Sequence, residues 1–261
     1  MEVNDSARVE NPAKEKKFFN NKIPAQFGYS KYSFNFAHWL FGRSLGLISL
    51  GAFLSYWIQA DALIGANGIS PWSEDLDKIE QVAEQNPDLS KFTLRSTLLW
   101  FSIPGGHTTL FVIGSLSSFA LTLGWIPIAS AIFSYVTYLS LMVVGEPFLS
   151  FQWDILLVET LLLSLPFLPV VRFHRLGSKV YFSCWSRLLL VALLAKLMLE
   201  SGIVKFTSFA GDGTNTWREL TALDYHYWTQ PLPHGLSKWI HSLPSWFDSL
   251  SLYFMYAIEL V

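Results

Sequence analysis

Cysteine is almost missing from this chain: of 261 residues, only Cys184 carries a thiol. An internal disulfide therefore cannot form, and neither a Cys-rich metal site nor a CxxC redox pair can be built. Charge is also scarce, at 15% Asp, Glu, Lys and Arg against the roughly 25% of a soluble globular domain. What charge there is nearly cancels, to a net −2 and a pI near 6.3. No Lys/Arg stripe recurs along a helix to follow a phosphate backbone, so nucleic acid is excluded as a partner. The opening stretch "MEVNDSARVENPAKEKKFFNNKIP" has no apolar run near its start, so no cleaved secretory signal is read there and the first apolar helix is expected to do the targeting. No internal repeat or low-complexity tract is evident.

What is present in abundance is apolar: 51% of the residues are hydrophobic and the mean hydropathy is +0.34. The expectation is a membrane protein of the all-α class, a polytopic transmembrane helical bundle of about five spans plus a partial sixth, with a loop on its outer face. Residues 1–35 read as a polar cytoplasmic N-terminus and 36–206 as the transmembrane domain. Spans are predicted near 37–59, 108–124, 127–144, 155–171 and 188–206, each close to the ~20 residues a crossing helix needs. Arg43 lies in the first two turns of the first span, where its long side chain can snorkel to the basic side. Residues 207–245 form the outer loop. The segment 246–261 starts a further apolar helix that stops short of the ~17–25 residues of a span, which reads as a truncated chain or a partly inserted helix.

Between spans, composition alternates. Residues 60–95 are acidic, and "SEDLDKIEQVAEQ" there reads as a short surface helix with Ser73 as N-cap. From Ser96 to Gly145 no residue carries a formal charge, and "RFHRLGSKVYFSCWSR" (172–187) holds Arg172, Arg175, Lys179 and Arg187 with no acid. Positive loops stay in the cytoplasm. The N-terminus and 172–187 are therefore expected inside, and 60–95, 145–154 and the segment after the fifth span outside.

Three constellations carry polar chemistry. The densest is "WRELTALDYHYWTQPLP" (217–233), which brings Trp217, Arg218, Glu219, Asp224, Tyr225, His226, Tyr227, Trp228 and Gln230 together. Amphipathic aromatics suit the membrane–water boundary, so an interfacial anchor and a functional loop both remain open. His226 has the chemistry of a general base, but no nucleophile motif accompanies it. His226, His234 and His241 are spaced by eight and seven residues, unlike the short gaps of zinc sites, and no metal is expected. The second constellation pairs Asp154, a candidate helix cap, with Glu159. Five residues at about 100° each put these carboxylates some 140° apart on a helix, which disfavours a catalytic pair. The third is Lys196, Glu200 and Lys205 in the fifth span, where an i,i+4 Lys/Glu pair in hydrocarbon needs a partner or a polar cavity. Lys196 or Lys205 is available to Glu159, and a desolvated Lys196 is a candidate base. The bland alternative for both groups is an intramembrane ion pair that fixes helix register.

Four stretches in order, "GRSLGLISLGAFLSYWIQ" with "LIGANGISP", "FQWDILLVET", "LMLESGIVKF" and "WRELTALDYHYWTQPLP", resemble the lipase maturation factor family over residues 36–245. The resemblance implies a polytopic membrane protein, in eukaryotes of the endoplasmic reticulum, that acts in a chaperone-like way in the maturation of secreted lipases. Its loop would face the lumen and a secreted client protein, with no cofactor. In bacteria the corresponding site would be the cytoplasmic membrane. Family members usually continue into a further C-terminal globular region. Phe151 stands where the family tends to have Trp, and Trp228 where an acid is common. An alternative is a membrane enzyme distantly similar to vitamin K-dependent carboxylases, acting on a lipid or quinone at the outer face through Lys196, Lys205 or His226. A transporter is disfavoured, because the paired interrupted helices of inverted repeats are absent.

Overall fold

A computed structural model describes residues 35–260 apart from 87, 147, 179–183, 208–210, 212 and 230–233. The polar N-terminus, Lys179, Gln230 and the Pro231–Pro233 stretch of the aromatic motif thus lie outside the described residues. The regular elements among those described are all helices, apart from one isolated antiparallel bridge between Trp125 and Phe173. The chain divides into two compact units, 1–190 and 191–261.

The first unit is an up-and-down helical array. Helix α1 (Asn35–Leu63) packs on α4 (His107–Leu123), α4 on α5 (Pro127–Val144) and α5 on α6 (Gln152–Ser164), with the short α2 (Trp72–Gln85) and α3 (Lys91–Leu94) between α1 and α4. Small residues set these contacts. Gly42, Gly46 and Ser49 line one side of α1, and a Cβ at Gly46 would run into the backbone of Leu121 and Thr122. Gly114 on α4 leaves the space that the Phe53 ring fills, and that ring meets Tyr138 edge-on at 5.1 Å. Close approach through Gly and Ser is how helices associate where lipid supplies no hydrophobic drive between them. The interior hydroxyls follow the same logic. Ser49, Thr122, Thr137 and Ser140 each donate to a carbonyl of their own helix, and Ser118 and Ser134 join across the α4–α5 contact at 3.0 Å.

Boundaries follow from local chemistry. Gly124 ends α4 in the left-handed conformation (φ 71°), its N–H reaching Ala120 and Leu121 carbonyls. Three residues later Pro127 opens α5, where its missing N–H costs nothing. The fourth predicted span is helical over only part of its length. Instead of running through 155–171, α6 stops at Ser164, and 165–171 leaves the helix where Pro166 and Pro169 cannot donate. At 13 residues it is about 20 Å long. Ser73 is not a cap either: Pro71 holds that position and α2 starts without a side-chain cap. Pro127–Val144 is the helix among the described residues that meets both the length and the apolarity of a crossing, with His107–Leu123 apolar but shorter.

In the second unit, α7 (Cys184–Thr207, whose first turns belong to unit one) leads through 211–221 to α8 (Ala222–Thr229), α9 (Gly235–His241) and α10 (Ser245–Leu260), with α8 packed on both α9 and α10. Gly202 lets the end of α10 approach α7, since a Cβ there would lie 2.5 Å from Leu260.

Candidate functional site

The aromatic motif is built around a residue that sequence reasoning did not single out. Asn215 is buried, 5% exposed, and works in both directions. Its Nδ2 donates to the Lys205 carbonyl (2.9 Å), one of the last α7 carbonyls, which has no partner in its own helix. Its Oδ1 accepts from the backbone N–H groups of Trp217 (3.0 Å) and Arg218 (3.1 Å). This Asx turn, a habit of Asn before a reversal, starts a coil of backbone bonds: Glu219 to Asn215, and Thr221 and Ala222 to Thr216. Leu220 takes a positive φ of 61° and the chain then enters α8, with Asp224 in its first turn where the helix dipole favours an acid.

The turn is held from both sequence neighbours. Lys205 of α7 makes two hydrogen bonds to Glu259 of α10 (2.6 and 2.7 Å) and lies 5.6 Å over the Trp217 ring. Tyr256 of α10 donates to the Trp217 carbonyl at 2.8 Å, and its ring lies tilted against Phe206 with centroids 4.6 Å apart. Lys205, one of the two lysines available to Glu159 from the sequence, is paired with Glu259, on the segment expected to be a mere helix start. A lysine and a glutamate 54 positions apart leave no local signal to pair them.

The motif's own residues divide into two groups. Trp217 faces inward, with its ring 6.1 Å from His226, which in turn is 6.2 Å from Tyr227. Burial, then the charge of Asp248, pushes the Tyr227 phenol above its ordinary pKa. Tyr225 and Trp228 point outward, 55% and 63% exposed; Arg218, Glu219, Asp224 and His226 are exposed as well. The three histidines have separate roles: His226 lies among rings, His234 caps α9 by accepting from the Leu236 N–H, and His241 meets the Trp228 ring at 6.1 Å. Lys196 and Glu200 both sit on the exposed side of α7.

In the first unit, Asp154 is buried and accepts the Tyr138 hydroxyl at 2.7 Å. It occupies the first turn of α6 without capping it, so the expected cap is instead a tie between α6 and α5. Glu159 is half-buried on the same helix. The other polar nodes were not foreseen. Arg95 bridges Asp75 (3.0 Å) and Glu146 (3.3 Å), and the Trp72 indole donates to His107, whose other ring nitrogen faces Asp61 at 3.2 Å. These join α2 and the α5–α6 connector at one end. At the opposite end Arg43 donates to the carbonyls of Leu121 (3.4 Å) and His174 (2.5 Å).

Helices docked through glycine and serine, hydroxyls such as those of Ser49 and Thr137 bonded within their own helices and one helix of crossing length are features that a helical membrane domain shares, here followed by a pinned aromatic turn. A family profile described as "Lipase maturation factor transmembrane domain" matches residues 36–261. Similar relatives are Lipase maturation factor 2 of Xenopus tropicalis (37% identical over 228 residues, 82% of this chain and 30% of the relative) and of Gallus gallus (34% over 231, 85% and 31%). Human Lipase maturation factor 1 is 29% identical over 227 residues, 84% of this chain and 39% of the relative. The chain belongs to the lipase maturation factor family and is a membrane protein. It spans about a third of the length of these relatives. No solved structure matches it. The comparisons lend no support to the carboxylase-like alternative.

Proposed function

We propose that this chain is the membrane-embedded part of a maturation factor that assists the folding of secreted proteins such as lipases, presenting the 215–229 turn to the client on the outer side. The family match across 36–261 carries this reading. Five spans with a partial sixth helix, a cytoplasmic N-terminus, and residence in the endoplasmic reticulum membrane of a eukaryote or the cytoplasmic membrane of a bacterium complete it. Alternation of the helix ends in unit one supports the arrangement: Arg43 meets Leu121 and His174, whereas Asp61 meets His107. The exposed Tyr225 and Trp228 are the client-facing side chains, with Arg218, Glu219, Asp224 and His226 around them. Trp217 and Tyr227 form the support beneath, and Gln230 follows the turn in sequence.

The test compares secretion of active lipase from cells carrying wild-type, Tyr225→Ala or Trp217→Ala protein. Tyr225→Ala should lower secretion at unchanged membrane abundance, while Trp217→Ala should lower both. Normal secretion with Tyr225→Ala and Trp228→Ala combined would refute the client-facing role. Orientation has its own assay, because Cys184 is the single thiol and is exposed. A membrane-impermeant maleimide should label it only after the cytoplasmic face is opened, and labelling from the outer face of sealed vesicles would overturn the topology.

A further inference from the structure

At the end of unit one where Arg43 lies, the surface holds an apolar groove of about 530 Å³, within the roughly 300–1,000 Å³ of ligand sites. It is lined from the α4–α5 turn by Trp125, Ile126 and Ile128, and from the segment after α6 by Pro169, Val170 and Val171, with Arg172 completing it. We propose that this groove seats an acyl chain of an anionic phospholipid whose phosphate is held by Arg172.

The groove is built rather than incidental. Ile126 donates its N–H to the Arg172 carbonyl and His174 donates to the Gly124 carbonyl, both at 2.9 Å, closing a short antiparallel ladder around the Trp125–Phe173 bridge. Arg43 clamps that ladder through the Leu121 and His174 carbonyls. Ile126 lines the groove from a left-handed backbone (φ 43°), a conformation that a β-branched residue adopts only under strain. The ladder therefore maintains a shape that the local sequence would not adopt unaided.

The chemistry selects the occupant. The walls are hydrocarbon and indole, and Val170 is 90% exposed, so in a membrane they face acyl chains. Arg172 is exposed and makes no ion pair among the described residues, and Arg175 three positions on is likewise exposed and unpaired. No carboxylate occurs anywhere from Thr160 to Leu199 to neutralise them. A guanidinium matches a phosphate with paired N–H groups, and two uncompensated cations favour a lipid with net negative charge over a zwitterionic one. The cytoplasmic leaflet, toward which the basic loop is oriented by its charge, is the anionic one.

The test is native mass spectrometry of the full chain released from bilayers of phosphatidylcholine with a minority of phosphatidylserine. The wild type should retain phosphatidylserine preferentially. Arg172→Gln, which removes one charge-assisted contact, should cut that preference about tenfold. Val170→Asp should lower retention of either lipid, and Lys238→Gln in the other unit should change neither. Millimolar inorganic phosphate should leave the bound lipid in place. Equal retention of the two lipids by the wild type, an unchanged preference in Arg172→Gln, or displacement by free phosphate would each overturn the proposal. None of these readouts needs a client, so their failure leaves the maturation reading standing, and the converse holds.

Discussion

Replacing Asn215 by Ala should open the aromatic turn while leaving the helices of the first unit intact. The substitution deletes three hydrogen bonds at a buried position: two that Oδ1 accepts from the Trp217 and Arg218 N–H groups and one that Nδ2 donates to the Lys205 carbonyl. At about 1 kcal/mol each, with more where a partner stays dry and orphaned, the loss is roughly 3 kcal/mol. One factor of ten in an opening equilibrium is about 1.4 kcal/mol, so the Trp217 and Arg218 amides should exchange hydrogen for deuterium roughly a hundredfold faster in the variant. Exchange is followed by mass spectrometry on peptides covering 211–229, with peptides from α4 and α5 as the internal reference. Asn215→Asp keeps an oxygen to accept both N–H groups but sets a carboxylate against the Lys205 carbonyl, and should fall between variant and wild type. Exchange at 217–218 within a few-fold of wild type in Asn215→Ala would refute the clamp. Acceleration spread evenly over α4 and α5 would refute its local character.

Three further outcomes follow from the same geometry. Lys205 and Glu259 are 17% and 14% exposed at their side chains, so Lys205→Met or Glu259→Gln alone should destabilise by roughly 2–3 kcal/mol, seen as a lower thermal midpoint in detergent. The Lys205→Met/Glu259→Gln double variant should recover part of that, and strict additivity would deny the pair. Gly124→Ala forces a Cβ into the Arg43 guanidinium at φ 71°, and should cost at least ~1–3 kcal/mol from backbone strain alone; an unchanged midpoint would count against the Arg43 clamp. His174 is held neutral down to about pH 4, first by burial and then by the charges of His38 and Arg43. Its folded pKa lies below the unfolded value near 6.5, so its stability contribution is complete above pH 6.5 and is lost as pH falls toward 4. Melts across that window should diverge between wild type and His174→Gln, and parallel profiles would refute the assignment.

The helices that punctuation marks were legible in the sequence. Pro127 and Gly145 bracket α5 at the expected 127–144, and the predicted 108–124 differs from α4 by one residue at each end, the later one because Gly124 is its cap. Where an apolar run continues past a helix breaker, composition is silent. The stretch 165–171 is as greasy as the helix before it, yet Pro166 and Pro169 remove two backbone donors, and the chain turns aside to form the ladder with 124–126. The aromatic motif could be located from its composition and its neighbours. Its supports could not, because Asn215 is one small amide outside the motif, and Tyr256 and Glu259 reach it from some forty positions downstream. Asp154 shows the same limit: its place at a helix start suggested a cap, but the Tyr138 hydroxyl that claims it lies on another helix.

The grip of Tyr256 and Glu259 on Trp217 and Lys205 also bears on how this domain can be divided. A cut made in the polar stretch before α10, where a hydropathy plot would place a seam, separates the aromatic turn from the beam that braces it. Fragments, fusions and chimaeras between relatives should therefore exchange 205–260 as one piece. Substitutions along the inner face of α10 should be read as changes to the motif, even though they fall outside it.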